Sequence, residues 1–228
     1  MIADSSENRR SRSEVTKQAL MRAAEKLISE RGIESVSIRD IVQAADQKNE
    51  SALQYHFGNL KGLISALHTS RDQEVRALRS AHLAQLLDGG SDPSLRDICK
   101  VMVAPSFELA RAKPDYRRYV KAFGHEITQS EESALKVATK KGGESVQQTG
   151  ILLRNKLSHL DEAAYRRRMD GALRYVSAAM VHHARQKNAF RGETGELFFY
   201  SLIDGLVGLL NAPESAETKA VVTAVNSS

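Results

Sequence analysis

Residues 16–67 contain three short helical signals separated by two tight turns, and this spacing constrains the fold more than any other feature of the chain. Between Thr16 and Arg31, apolar residues recur at three- and four-residue steps, and Gly32 then supplies a left-handed stop. The pattern predicts a first helix that ends at Gly32. Its apolar face consists of Leu20, Ala23, Ala24, Leu27 and Ile28.

Two further helices follow directly. Ser37 and Asp40 have the spacing of a capping box, which marks the start of a second helix. That helix is short, because a polar Asp-Gln-Lys-Asn break follows it. The third is predicted to begin near Asn49 and to turn Leu53 and Phe57 inward. Three such helices are typical of a helix-turn-helix domain that binds duplex DNA.

Polar side chains remain exposed around the start of the third helix. Amides of Gln and Asn can pair with adenine through two hydrogen bonds, and Lys can reach the acceptors of guanine. The expected DNA-reading residues are Gln47, Lys48, Asn49, Ser51 and Gln54. The alternative is a three-helix structural cap whose polar face meets only water.

The first seventy residues resemble the TetR/AcrR family of transcriptional regulators. The matching runs are Ala23-Ala-x-x-Leu-Ile-x-x-x-Gly32, Ser37-Ile-x-x-Ile-Val-x-x-Ala45 and Leu53-Gln-Tyr-His-Phe-x-Asn-x-Lys-x-Leu63. The resemblance implies an all-α protein, with an N-terminal three-helix helix-turn-helix domain and a C-terminal helical domain for ligand binding and dimerisation. It also implies double-stranded DNA, a second copy of the chain and a small-molecule effector as partners.

By the same resemblance, Ser37 and Arg39 would contact phosphates at the start of the second helix. Beyond the third helix, Tyr55, His56 and Lys61 would hold the DNA backbone. Tyr55 could equally pack as a core aromatic, and His56 could be a structural hydrogen-bonding residue or a cap for the fourth helix.

Two departures from the family pattern favour a rival interpretation, a helical protein-interaction adaptor with a degenerate DNA-binding head. Asp46 stands where a turn glycine is usual. The segment from the turn to Phe57 is also one residue longer, which places Gln54 where a phosphate-binding tyrosine often lies.

Four segments are expected along the chain: a flexible basic arm over 1–12, the helix-turn-helix domain over 13–59, the helical effector and dimerisation domain over 60–212, and a flexible tail over 213–228. The basic residues at the start are Arg9, Arg10, Arg12 and Lys17. Such an arm can follow the DNA backbone or enter a minor groove, or it can be a solvated end. In the body, Pro105 is predicted to kink or end a helix, Pro114 to start one, and Gly142-Gly143 to form a loop.

Two late helices carry apolar faces that are typical of an interface, and the resemblance to the TetR/AcrR family implies that they pair with their copies in a four-helix dimer interface. One starts at Asp161 and the other spans 193–211, where Gly205 would allow close approach. The expected interface residues are Tyr165, Met169, Leu173, Val176, Met180, Phe198, Leu202, Gly205 and Leu209. An ordinary core within one chain is the alternative.

The resemblance to the family also implies an effector site in the helical body. Its candidate residues are Met102, Phe107, Tyr119, Phe123, His125 and Tyr175, each of which could also be a core or surface residue. No motif of a hydrolase, a nucleotide-binding loop or a metal site is present in the sequence, so we expect no enzymatic activity, no cofactor and no metal.

Composition agrees with a DNA-binding protein without proving it. The net charge is +5, and the single cysteine, Cys99, excludes an intrachain disulfide and is expected to be a buried structural thiol. No export signal or bilayer-length apolar segment is visible, which predicts a soluble cytoplasmic protein with no membrane partner.

Overall fold

The computed structural model describes the backbone of residues 3–90 and 92–226 and the side chains of 12–90 and 92–225. Within these residues the chain forms helices and no strand, so the all-α prediction is confirmed. The helices are α1 (Ala3–Arg31), α2 (Ile38–Ala44), α3 (Ser51–Phe57), α4 (Leu60–Asp88), α5 (Leu95–Ala112), α6 (Pro114–Phe123), α7 (Glu126–Gln129), α8 (Ala134–Lys156), α9 (Glu162–Ala184), α10 (Gly192–Asn211) and α11 (Ala216–Asn226).

The N-terminal head is built as its local signals predict. α1 ends at Arg31, and Gly32 adopts a φ of 81°. The capping box at α2 is present, because the Asp40 amide donates to Ser37 Oγ at 3.2 Å and the Ser37 amide donates to Asp40 Oδ2 at 3.0 Å. These hydrogen bonds satisfy two donors that the first turn of a helix otherwise leaves without partners.

α4 connects the head to the body. Near its start, Leu63 and Leu67 are buried in the head core, whereas Val75 and Leu78 further along pack against the body core. α6 of the body also contributes Phe123 to the head core. The buried residues supplied to that core by the head itself include Leu20, Ala24, Ile28, Ile41, Val42 and Leu53.

Helical structure at both ends of the chain differs from expectation. α1 begins at Ala3 rather than Thr16, so most of the arm predicted to be flexible has helical backbone. The side chains of Arg9 and Arg10 lie outside the described residues. The tail predicted to be flexible contains α11, whose exposed Val221 and Val225 give it an apolar strip at helical spacing.

Most of the proline and glycine positions predicted to mark helix boundaries in the body do so. Pro114 starts α6, and α8 breaks at Gly143, where φ is 65° and ψ is −162°. Pro105 does not end a helix, because α5 continues through it to Ala112. Burial of the residues on both sides of Pro105 stabilises the helix against the loss of one backbone hydrogen bond, which costs about 3 kcal/mol. Cys99 is fully buried, as expected, and burial raises the pKa of its thiol to about 12.

Candidate nucleic-acid interface

The turn between α2 and α3 depends on Asp46. Its φ is 55°, a left-handed conformation that Gly, Asn and Asp adopt at the lowest cost. Asp46 therefore takes the backbone conformation that a turn glycine would take. The carboxamide nitrogen of Gln47 donates to the carbonyl oxygens of Ala45 and Asp46 at 3.1 and 3.3 Å, which ties this side chain to the turn.

Asn49 and Ser51 begin α3 through their own hydrogen bonds. Asn49 Oδ1 accepts from the Ser51 amide at 3.1 Å and also from the Ser51 hydroxyl. These two groups are thus engaged locally, as is Gln47. Lys48 and Gln54 are exposed, and their side chains have no hydrogen bond or ion pair within the described part of the chain. Both side chains are therefore wholly free to contact a base.

The structure distinguishes between the two environments predicted for Tyr55, the core and the surface. Its side chain is 82% exposed, so it does not pack in the core. His56 is partly buried, and its ring meets the Tyr55 ring edge to face at a centroid distance of 5.0 Å. The Tyr55 hydroxyl is therefore available to a phosphate, while His56 supports the aromatic ring beside it.

Of the two phosphate candidates on α2, Arg39 is the available one. The Ser37 hydroxyl donates to Asp40 Oδ2 at 2.6 Å, and this hydrogen bond is the main cause that lowers the pKa of the Asp40 carboxyl. Arg39 is exposed, and its guanidinium makes no hydrogen bond or ion pair with the described side chains. Ser37 shapes the helix start, and Arg39 supplies the free charge.

Lys61 lies at the start of α4, where a compact junction holds it. Gly58 has a φ of 75°, and Asn59 caps α4 by accepting from the Gly62 amide at 2.9 Å. Lys61 is exposed and lines a groove between α4 and α8 together with Lys140 and Lys141. These two α8 lysines extend the basic surface beyond the helix-turn-helix motif, and sequence reasoning missed them because they are 79 positions or more from Lys61.

A buried ion pair joins the head to α4. Arg71 Nε and Nη2 donate to Glu25 Oε1 and Oε2, each at 2.8 Å. Glu25 is fully buried. Arg71 also forms an ion pair with Glu74, which in turn pairs with Lys113 at 2.6 Å. Burial raises the pKa of the Glu25 carboxyl to about 7, while Arg71 opposes that rise by stabilising the ionised form. The pair fixes α1 relative to the helix that enters the body.

The body contains a cavity of about 1160 Å³ between α4, α5, α8 and α9, and a smaller one of about 540 Å³ lies beside it. Met102 lines the larger cavity; Tyr119 and Phe123 line the smaller. The Tyr119 hydroxyl lies 2.8 Å from His68 Nδ1, and burial raises the pKa of Tyr119 well above its ordinary value.

Three of the candidate effector residues line neither cavity. Phe107 is buried against Phe190 and Phe199, and Tyr175 lies against Gly205 between α9 and α10. His125 immediately precedes α7, and its Nδ1 is buried without a partner among the described residues. Aromatic residues and histidines are common in both cores and cavities, so residue type alone did not separate them.

The predicted dimer face is partly internal. Tyr165, Met169, Met180 and Leu202 are buried inside the subunit, so their side chains cannot form an outer surface. Four residues of the predicted α9 stripe instead line the larger cavity: Tyr165, Met169, Leu173 and Val176. A helical apolar stripe shows that one face is covered, but the neighbour that covers it depends on the tertiary fold.

The outer surface of α10 presents different apolar residues. Leu197 is 68% exposed and Tyr200 is 47% exposed. Phe198 stacks on His183 at a ring-centroid distance of 3.8 Å, and Gly205 lies so close to Tyr175 that a Cβ there would overlap the tyrosine hydroxyl. Leu209 is partly buried against the body core. The exposed face of α10 is therefore centred on Leu197 and Tyr200 rather than on the predicted set.

Two absences in the described residues bear on other kinds of site. Among their side chains, no group of three or more His, Cys, Asp or Glu residues could hold a metal ion. In the same part of the chain, each helix is too short or too polar to cross a membrane.

A short recognition helix with free polar groups, set on a helical body through one long helix, defines a helix-turn-helix DNA-binding regulator. Residues 20–67 match the family described as bacterial regulatory proteins, tetR family. The segment 20–67 is thus a DNA-binding domain of the tetR type, and the chain shares the all-helical fold of a solved TetR-family regulator.

Solved structures with a similar fold include a TetR-family transcriptional regulator from Pectobacterium atrosepticum, with 21% identity over 90% of this chain and 99% of that one and a TM-score of 0.50. Salmonella enterica GusR has 18% identity over 86% of this chain and 96% of its own, with a TM-score of 0.48. RolR, solved in complex with resorcinol, has 13% identity over 90% and 97%, with a TM-score of 0.47. No curated protein sequence matches the chain.

Proposed function

We propose that this regulator is a homodimeric, non-enzymatic repressor that binds an inverted-repeat operator in the cytoplasm and releases it when a small molecule occupies the helical body. The observation that carries the proposal is the pair of free polar side chains, Lys48 and Gln54, beside turn residues whose hydrogen bonds are already satisfied. Side chains that are exposed and unpaired at a recognition helix are suited to base edges.

The surface of α10 supports the dimer. Leu197 and Tyr200 lie on the same exposed strip three residues apart, next to the partly buried Phe198. Large exposed apolar side chains on one helix face are typical of an interface. A pair of these faces around a two-fold axis would bring α9 and α10 of both copies together.

Sedimentation of the purified protein tests the dimer directly. We expect a dimer at micromolar concentration, and a monomer for the double variant Leu197→Glu, Tyr200→Glu, because two charges would be buried without partners. Val221→Glu on α11 is the matched control, since Val221 is equally exposed and lies on another helix. A wild-type monomer, or a dimer that survives the double substitution, would contradict this interface.

Dimerisation sets the form of the operator. Two recognition helices related by a two-fold axis read half-sites about 34 Å apart, or a multiple of one DNA turn. The half-sites are inverted repeats for the same reason.

α4 connects the DNA-binding head to the cavities in which an effector would bind. α4 carries head-core residues at its start and lines both body cavities further along, through Arg79. The Glu25 to Arg71 ion pair couples α1 to the same helix. A ligand that binds better to one position of α4 shifts the population of head positions, and with it the spacing of the two heads.

Selection of duplexes from a random pool tests the proposed function. We expect enrichment of one inverted repeat by the wild-type protein and its loss in the Lys48→Ala, Gln54→Ala double variant. Lys187→Ala, an exposed lysine between α9 and α10, should enrich the same repeat as the wild type. Absence of any enriched sequence at low salt would instead favour the protein-interaction adaptor.

A further inference from the structure

Arg79 occupies the boundary between the two body cavities. It lies on α4, is only partly exposed, and lines both the larger and the smaller cavity. Within the described part of the chain, its guanidinium forms no hydrogen bond and no ion pair. A guanidinium has five N–H donors and cannot lose its charge in a protein, so this group enters the cavity with its hydrogen-bonding capacity unused.

The other charged side chains of the larger cavity all have partners in the chain. Arg154 and Arg166 pair with Glu162, Arg167 pairs with Glu214, and Asp170 pairs with Arg174. Lys136 pairs with Glu132 at 3.6 Å. Arg79 is thus the one charged residue without an ion pair among the described residues that line this cavity.

The acidic residue that acts on Arg79 is Asp72, about two turns earlier on α4. It lines the smaller cavity and not the larger, and it does not approach Arg79 within the 4.0 Å of an ion pair. Burial lowers the pKa of Arg79, and the Asp72 carboxylate opposes this only from a distance. A partly buried cation without a contact partner is unfavourable unless a ligand supplies the anion.

The rest of the cavity wall defines the body of that ligand. Met102, Leu153, Met169, Leu173 and Val176 present apolar side chains, and α8 supplies the hydroxyl groups of Thr139 and Thr149. Ligand sites of this kind combine a mainly apolar wall with a few polar groups that fix orientation. The cavity is also large enough for a molecule of ten or more heavy atoms, since drug-sized ligands occupy roughly 300 to 1000 Å³.

We propose that the effector is an organic carboxylate, whose carboxylate group forms two hydrogen bonds with the Arg79 guanidinium while its apolar body lies against the α8 and α9 side chains of the larger cavity. The planar guanidinium matches a carboxylate in geometry and in charge. A phosphate monoester would bring a second negative charge, and the larger cavity has no second cation without an ion pair among its described residues. The proposal names the ligand class of the effector site and so rests on the proposed function.

Calorimetry with matched probes tests this assignment. The probes are decanoate and 4-phenylbutyrate, each compared with its primary amide, and decyl phosphate. We expect one or both carboxylates to bind the wild-type protein about tenfold more tightly than the corresponding amide, because a charge-assisted hydrogen-bonded pair is lost in the amide. In Arg79→Gln the preference should fall to about twofold or less.

Arg166→Gln is the control variant. Arg166 also lines the larger cavity, but it is already paired with Glu162 at 2.7 Å, so its removal should leave the preference for carboxylates unchanged. Equal binding of carboxylate and amide, no binding of either carboxylate at millimolar concentration, tighter binding of decyl phosphate, or a preference that survives Arg79→Gln would each overturn the proposal.

A second measurement does not depend on the choice of probes. In the ligand-free protein, Arg79→Met removes an uncompensated cation from a partly buried site and should raise Tm. A lower Tm would mean that Arg79 stabilises the fold, and would overturn its assignment as a ligand group.

Operator binding separates a failure of the ligand class from a failure of the proposed function. Failure of the carboxylate preference with intact operator enrichment would overturn the ligand class alone. Failure of operator enrichment would overturn the proposed function, whereas the calorimetric preference at Arg79 would still be measurable.

Discussion

Gly62 lies directly against the carbonyl group of Phe57, so that a Cβ at position 62 would overlap the Phe57 carbonyl oxygen. This contact closes the junction between the end of α3 and the first turn of α4. The adjoining Asn59 cap and the positive φ of Gly58 belong to the same junction. The position of α3 on the head therefore depends on the close approach of these two backbone segments.

Gly62→Ala should lower the free energy of unfolding by about 2 kcal/mol, because neither backbone can move without disturbing the core. Urea unfolding measures the change. Gly171→Ala is the matched control: Gly171 is exposed within α9 and has nothing within 4 Å of an added Cβ. There the substitution should stabilise the protein by up to about 1 kcal/mol. Equal effects at the two positions would contradict the role of the junction.

Asp46→Gly should stabilise the turn between α2 and α3. Gly adopts the φ of 55° found at this position without a steric cost, which is worth about 0.5 to 1 kcal/mol relative to Asp. Asp46→Ala should have the opposite sign, since Ala adopts a left-handed conformation at a higher cost than Asp or Gly. Thermal unfolding of the wild-type protein and the two variants gives the order of their stabilities. An Ala variant as stable as the Gly variant would show that the turn relaxes out of this conformation.

The Glu25 carboxyl should make stability depend on pH between about 4.5 and 7. Its pKa is raised from 4.5 to about 7 in the folded protein, so the folded state binds the proton more tightly than the unfolded state. Its contribution is therefore fully present below about 4.5 and declines as the pH rises through about 7. Glu25→Gln, which cannot titrate, should lack this decline in denaturant unfolding across the same pH range.

Asp97→Asn is a control for this prediction in which the pH dependence has the opposite sign. The Ser94 hydroxyl lowers the pKa of the Asp97 carboxyl, so the stability from this group is present above its ordinary pKa and is lost as the pH falls. Asp97→Asn should therefore abolish the rise in the free energy of unfolding that this carboxyl causes as the pH increases. A Glu25→Gln variant with the same pH profile as the wild type would show that folding does not change the titration of Glu25.

Lys48 and Lys61 should contribute to DNA binding in different ways. If Lys48 contacts a base, Lys48→Ala costs about 1 to 3 kcal/mol at the selected operator and relaxes the sequence preference. Lys61→Ala should weaken binding to all sequences alike and reduce the slope of log K against log salt by about one. Titration of operator and scrambled duplexes at several salt concentrations separates the two. A changed preference with an unchanged slope for Lys61→Ala would reverse the assignment.

The sequence by itself determined the helices of the head and most helix ends of the body. The Ser37 cap, the stop at Gly32 and the start at Pro114 are local events, decided by the hydrogen bonds and torsion angles of neighbouring residues. Such features can be identified from the residue types alone. Helical periodicity likewise predicted which residues of α1 would be buried.

The tertiary structure decided what covers each apolar face and which charges meet. Met169 and Leu173 line a cavity rather than a dimer interface, although their spacing fits both. Glu25 has the sequence context of a solvated residue, but it is buried because Arg71, 46 positions away, meets it. Arg79 stands out only when the other charged residues of the larger cavity are seen to be ion-paired. Contacts between distant parts of the chain depend on how whole helices pack, and no local pattern of residues specifies them.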